Sequence, residues 1–181
     1  GDNNLWISNF GAAQPLRVRK ADGSWKSFSL PFTLFENALA QILVDDYNYK
    51  WIVSPLGNGL IVYDQGSSVD NTGDDRWRKL GSGTGNGNLP SSGVNCIAKD
   101  KSGFIWVGTI DGIGVIQCPD QVFAGGCEAV WPVVPNGNFA GYLFKGEEVS
   151  SIAVDGADRK WVATRNGVFL VDAAGEKLLT H

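Results

Sequence analysis

Proton-transfer chemistry needs a titratable base beside a nucleophile, and this sequence offers almost none. Its one histidine, His181, is the last of 181 residues, so neither a Ser-His-Asp nor a Cys-His arrangement is expected. The segment Asp70-Asn-Thr-Gly-Asp74-Asp75 gathers three carboxylates of the kind calcium takes. It lacks the glycine and glutamate that an EF-hand loop places at its sixth and twelfth positions, so a solvated turn is the better reading of Asp70, Asp74 and Asp75. Gly81-Ser-Gly-Thr-Gly-Asn86-Gly-Asn88 has the glycine content of a phosphate loop but no Gly-Lys-Ser/Thr ending. Gly108-Thr-Ile-Asp-Gly-Ile-Gly114 misses the dinucleotide spacing. The prediction is a protein that is not an enzyme, with no catalytic residue, no cofactor and no metal.

The cysteines carry the remaining chemistry. Cys118 and Cys127 bracket a short polar stretch in which Gly125 and Gly126 can turn the backbone back, and a disulfide between them is expected. Cys96 lies in the apolar pattern Val94-Asn-Cys-Ile-Ala98 and is expected to be a buried free thiol. A bridged pair points to an oxidising compartment outside the cytoplasm. The net charge of −4 leaves no basic footprint for nucleic acid. No apolar run approaches the roughly 20 residues of a membrane span. The sequence has neither an initiator Met nor a signal peptide, and is expected to be a segment of something longer.

What must position these groups is a repeat. Trp51, Trp106 and Trp161 stand 55 residues apart, each six residues beyond an aspartate in the frames Leu39-x-x-Ile42-x-x-Asp45, Val94-x-x-Ile97-x-x-Asp100 and Val149-x-x-Ile152-x-x-Asp155. Trp25, Trp77 and Trp131 form a second class, following Trp6, Trp51 and Trp106. Such self-similarity marks a propeller or solenoid. Turn signals cut each unit into short strands: Asp100-Lys-Ser-Gly103 has a type I pattern, while Asp111-Gly112 and Asn166-Gly167 predict primed hairpin turns, with Asn58-Gly59 in the second unit. The fold predicted is all-β, a propeller segment of about four four-stranded blades over residues 1–30, 38–82, 94–134 and 149–181. The first blade lacks one strand, which gives fifteen strands and suggests an open arc from a larger ring. The repeated aspartates are read as turn formers and the tryptophans as core, ahead of an acidic ring or sugar-stacking platforms.

No first-class tryptophan is followed by Asp, as WD repeats require, and the one Gly-Gly pair is misplaced for kelch blades. The stretch Asn88-Leu-Pro-Ser-Ser-Gly-Val-Asn-Cys-Ile-Ala-Lys-Asp-Lys-Ser-Gly-Phe-Ile-Trp-Val-Gly-Thr-Ile-Asp-Gly112 resembles the two-component-regulator propeller repeat of Bacteroidetes proteins. Asn4-Leu-Trp-Ile-Ser-Asn-Phe-Gly11, Gly85-Asn-Gly-Asn-Leu-Pro90 and Ala153-Val-Asp-Gly-Ala-Asp-Arg-Lys-Trp161 look like the later propeller of PorZ-type proteins of the type IX secretion system. That resemblance implies a non-catalytic module at the periplasm or outer-membrane surface of a Gram-negative bacterium, contacting protein components of a secretion and attachment complex or a surface glycan such as lipopolysaccharide. The alternative is a glycan-sensing ectodomain of a hybrid two-component receptor. Self-association through open blade edges is also expected.

In a propeller, the loops between blades and those between second and third strands emerge on one face. Phe10, Phe32, Pro55, Phe35, Asn58, Asn86, Asn88, Phe139, Tyr142, Phe144 and Arg165 fall on such loops, and this mix of aromatics and amides makes that face the predicted binding surface, the alternative being that several of the aromatics only cover the ends of the core.

Overall fold

The structure is a computed structural model and describes residues 3–136 and 139–180. The first sheet comprises β1 (Leu5–Ser8), β2 (Leu16–Arg19) and β3 (Trp25–Phe28). The second has β4 (Ile42–Val44), β5 (Lys50–Ser54), β6 (Gly59–Asp64) and β7 (Arg76–Leu80). The third has β8 (Val94–Lys99), β9 (Ile105–Thr109), β10 (Gly112–Ile116) and β11 (Ala129–Val130). After a two-stranded ribbon, β12 (Val133–Asn136) and β13 (Phe139–Tyr142), the last sheet has β14 (Val149–Val154), β15 (Lys160–Thr164), β16 (Gly167–Val171) and β17 (Leu178–Thr180). Each sheet is antiparallel with strands in sequence order, and successive sheets pack face to face. These are propeller blades, the first with three strands.

Seventeen strands are present among the described residues, against fifteen expected. The difference is the ribbon. The fourth strand of the third blade, a blade expected to run to residue 134, ends at Val130, because Pro132 has no N–H with which to continue the ladder. The chain then turns outward and pairs Val133 with Tyr142 and Val134 with Gly141. The hairpin turns also differ from the primed type. In the third blade Thr109 pairs with Gly112 across Ile110 and Asp111, and in the fourth Thr164 pairs with Gly167 across Arg165 and Asn166. Among these residues only the glycines have positive φ. The threonine hydroxyls accept from the N–H of Asp111 and Asn166, bonds that close the turn without a positive φ at the central residues.

The Asp-Trp frame has a specific cause. Asp45 Oδ1 accepts from the N–H of Tyr47 and Tyr49, and its Oδ2 from Trp51 Nε1 at 2.7 Å. Asp100 repeats this with Ser102, Phe104 and Trp106 Nε1 at 2.9 Å. Asp155 does so with Ala157, Arg159 and Trp161 Nε1 at 3.2 Å. One carboxylate thus closes the turn and satisfies the indole of the next strand, fixing both residue types and the spacing of six. The fourth residue of each turn, Asn48, Gly103 or Asp158, takes the left-handed conformation.

The electrostatics differ along the series. Burial pushes the Asp45 carboxyl above the usual aspartate range, although Trp51, Tyr49 and Tyr47 all donate to it. Desolvation opposes ionisation of Asp155 too, but Arg159 and the donated N–H groups outweigh it and bring its pKa down to about 2.

Apolar clusters fill the three junctions. Leu16, Val18, Ile61 and Tyr63 lie between the first and second blades, Trp51, Val62, Ile97 and Val107 between the second and third, and Trp106, Val115, Val149 and Val162 between the third and fourth. Each fully buried large side chain contributes on the order of 2 kcal/mol. The residue before the second-strand tryptophan reaches back onto the preceding blade. Lys50 Nζ lies 4.9 Å from the ring centre of Trp6, and Lys160 Nζ 4.8 Å from that of Trp106. Ile105 takes the corresponding position in the third blade, in the same cluster as Trp51. Both lysines are fully buried, and Lys160 stands 3.5 Å from Asp100 and 3.4 Å from Asp158.

Trp51 and Trp106 are 0% and 2% exposed, whereas Trp161 is 42% exposed because no sheet among the described residues covers its side of the fourth blade. The contacts therefore describe an open arc. The second-class tryptophans depart from a core role: Trp25 is 58% exposed and Trp77 is only partly buried, stacked 4.0 Å from Tyr63. Trp25 and Trp77 sit on the outermost strands, which have one neighbour instead of two, and Trp131 follows the end of β11.

Cys118 and Cys127 are joined by a disulfide, and Cys96 is free and buried, its thiol pushed up to about 12 by that burial. The bridged loop packs on the second blade, where Arg78 donates to the carbonyls of Val122 and Cys127 and Arg76 stands over the Phe123 ring. Replacing both bridge cysteines with serine should lower stability by about 2.5–3 kcal/mol. A urea midpoint equal to that of the parent protein would show that the arginine contacts alone order the loop.

Candidate interaction face

Second-to-third-strand turns and blade linkers meet on one face, where each turn is tied to a linker. Gly11 N–H donates to Asn37 O. Asn58 accepts from Phe35 N–H at 2.8 Å and donates to the carbonyls of Phe35 and Pro55. Ile110 N–H donates to Gly93 O, and Gly112 N–H to Glu147 O. Asp111 pairs with Lys145, and Asn166 donates to the Glu147 carboxylate. These ties hold the linkers flat across the blade ends, so side chains that point away from them are presented to solvent on a fixed support.

Four of those side chains are large and apolar: Phe10, Phe35, Leu56 and Ile110, all more than half exposed. Leu56 is also held at φ 63°, a conformation costing a branched residue roughly 1–2 kcal/mol. Exposed apolar side chains, one of them in a strained turn, are the features expected of a contact surface. Phe10 and Phe35 were on the predicted face, while Leu56 and Ile110 were missed. Their signal was available: each is an aliphatic residue at a turn tip, in Pro55-Leu-Gly-Asn58 and Thr109-Ile-Asp-Gly112, where solvent favours polar types.

The other predicted residues divide. Pro55 is half-buried, and Asn58 is buried with its amide spent on the Phe35 linker. Asn86 is exposed and donates to Ser82 O. Asn88 donates to Ala129 O, and its own carbonyl accepts from Trp131 Nε1 at 2.7 Å. Tyr142, 52% exposed, meets Trp131 edge-on at 5.1 Å. Phe144 turns inward against Phe169, and Arg165 is paired with Glu148. Phe32 is half-buried under the ammonium of Lys79. The side chain of Phe139 and the whole of His181 lie outside the described residues. The structure thus brings together Phe10, Phe35 and Asn58 in one group and Asn88, Trp131 and Tyr142 in another.

The three clustered aspartates do not converge. Asp70 accepts from Lys20, Asp74 from Ser67 N–H, and Asp75 from the Tyr63 hydroxyl at 3.0 Å. Among the described residues no group of three or more His, Cys, Asp or Glu side chains is arranged to hold a metal ion. No helix among them is long and apolar enough to cross a membrane.

Residues 88–111 match the two-component regulator propeller family. No curated protein sequence matches the chain. Among solved structures it is similar to PorZ, described as an essential bacterial surface component of the type-IX secretion system of Porphyromonas gingivalis, with 22% identity and a TM-score of 0.85. It is also similar to the extracellular domain of a hybrid two-component system of B. thetaiotaomicron, at 17% and 0.61, and to virginiamycin B lyase of Staphylococcus aureus, at 17% and 0.64. These alignments cover 98%, 98% and 99% of this chain but 25%, 20% and 53% of those proteins, respectively. At such identities the likeness is one of fold, and all three carry the propeller architecture seen here.

Proposed function

We propose that this propeller segment is a non-catalytic recognition module of an extracytoplasmic protein, acting in type IX secretion and cargo attachment through contact with a protein component or a surface glycan. The observation that carries this reading is the superposition of 98% of the chain on a secretion-system surface component at a TM-score of 0.85. The exposed Phe10, Phe35, Leu56 and Ile110 supply the contact surface. A second reading, a glycan-sensing receptor ectodomain, draws on the regulator-propeller match at residues 88–111. Phe35→Asp separates the face from the fold, because the side chain is 63% exposed and its loss leaves the core intact. This variant should melt like the parent protein and bind purified components of the attachment complex at least about tenfold more weakly. Unchanged binding would remove the face from the proposal, and binding to none of those components would favour the receptor reading.

A further inference from the structure

The three blade junctions are not closed in the same way. At the first, the loop over residues 64–75 inserts Val69, 5% exposed, beneath the outer part of the preceding blade, and Lys26 Nζ of that blade donates to Val69 O. At the second, the disulfide loop inserts Val122, fully buried, and Arg78 donates to Val122 O. Lys26 and Arg78 each follow a second-class tryptophan, Trp25 and Trp77. At the third junction both parts are missing. The third-to-fourth-strand loop shrinks to a tight turn over Asp172–Lys177, and Trp131 is followed by Pro132, which has no group to donate. Gly175 lays its backbone so close to Trp106 that a Cβ there would lie 2.5 Å from the ring, so the turn covers the tryptophan without inserting a side chain.

The result is a cleft of about 370 Å³ between the third and fourth blades, with Phe104, Trp106 and Trp131 among its walls and Ser102, Gln117 and Glu176 around them. Trp131 is fixed by its bond to Asn88 O and by Lys145, whose ammonium lies 5.2 Å from its ring centre. Among the described residues, the side chains of Ser102, Gln117 and Glu176 make no hydrogen bond or ion pair, so a hydroxyl, an amide and a carboxylate are unspent beside aromatic surface. A second cavity, of about 450 Å³, shares Trp131 and is lined also by Asn88 and Tyr142.

We infer that this unplugged junction is a saccharide-binding cleft that takes a neutral pyranose unit of a glycan. The partly exposed rings of Phe104 and Trp131 match the apolar C–H faces of a sugar ring, and a hydroxyl and an amide that both donate and accept, with a carboxylate that accepts, match its hydroxyls. A volume of this order suits one or two rings. A peptide is the poorer fit, because the cation that reads the loop carbonyl at the other two junctions is replaced here by proline. The inference rests on the reading of the chain as a recognition module and names the site of its glycan contact.

The test is an NMR titration of the whole chain with glucose, mannose, galactose, N-acetylglucosamine and their disaccharides, followed at the tryptophan indole N–H and backbone amide signals. At least one saccharide should shift Trp131 Nε1–H and the amides of Ser102 and Gly175 saturably. Gln117→Leu and Glu176→Ala, both at exposed positions, should weaken that binding about tenfold or more with unchanged melting. Trp131→Ala should abolish it, while Phe35→Asp should leave it intact. Shifts confined to the Phe35 and Asn58 region would overturn the cleft and leave the recognition face standing. A cleft that responds only to a peptide of residues 64–75, or to no saccharide at concentrations that fill a millimolar site, would also overturn it.

Discussion

Asp100→Ala should destabilise the chain by about 3–5 kcal/mol, the largest single-residue effect expected from its polar groups. The substitution removes the acceptor for Trp106 Nε1 and for the N–H groups of Ser102 and Phe104, and it strips a carboxylate from beside the fully buried Lys160. Asp158, at 3.4 Å, and the carbonyl of Ala173 remain near that ammonium, but both belong to the fourth blade, so the ammonium keeps no carboxylate on the third. Asp45→Ala deletes the same three bonds with no lysine above them and should cost about 2–3 kcal/mol. Asp155→Ala should cost least, since Trp161 is 42% exposed and water can take over its N–H. Urea denaturation of the three variants gives the order directly. Equal losses would mean that the turn bonds dominate and that the lysine pairing contributes nothing.

Gly59→Ala should cost about 3 kcal/mol or more. Gly59 begins β6 at φ 97°, and a Cβ there would stand 2.2 Å from the carbonyl oxygen of Leu80, a backbone atom in β7 that cannot swing aside. Its near neighbour is the control. Gly57 also has positive φ, at 81°, but nothing lies within 4 Å of its Cβ position, so Gly57→Ala should cost only the conformational term of about 1 kcal/mol. Paired melting curves that fall together would assign the whole effect to backbone conformation and remove the steric part.

The repeat was legible because its cause is local. A carboxylate that must reach both its own turn and the indole six residues on cannot move along the sequence, so the spacing survives in all three copies. The lysines were not legible. Lys50 and Lys160 look like solvated residues at strand starts, and only the preceding blade, with Trp6 in one case and Trp106 and Asp100 in the other, explains their complete burial. The ribbon of β12 and β13 was hidden for a related reason, since Val133-Val-Pro-Asn136 reads as the tail of a strand until Pro132 is seen to break the ladder. Of the candidate face, Phe10, Phe35 and Asn58 could be placed from loop order alone, because propeller topology assigns loops to faces. Inward turning, as at Phe144, depends on long-range packing that no local pattern encodes.

The alternation of Lys50, Ile105 and Lys160 before the second-strand tryptophans makes the blades non-interchangeable. A unit beginning with Ile105 suits a neighbour whose aspartate needs no cation. A unit beginning with Lys160 suits one that supplies Asp100, and each would be mismatched in the other's place. The order of the blades is therefore written into their seams as well as into the order of the chain. As the chain leaves the ribosome, the third blade closes on the second through apolar contact and through the bonds that Gln41 and Arg78 make to it, whereas its buried aspartate gains its cation only when the fourth blade arrives. Assembly is thus expected to proceed from the amino-terminal side, each junction accepting the one successor that completes it.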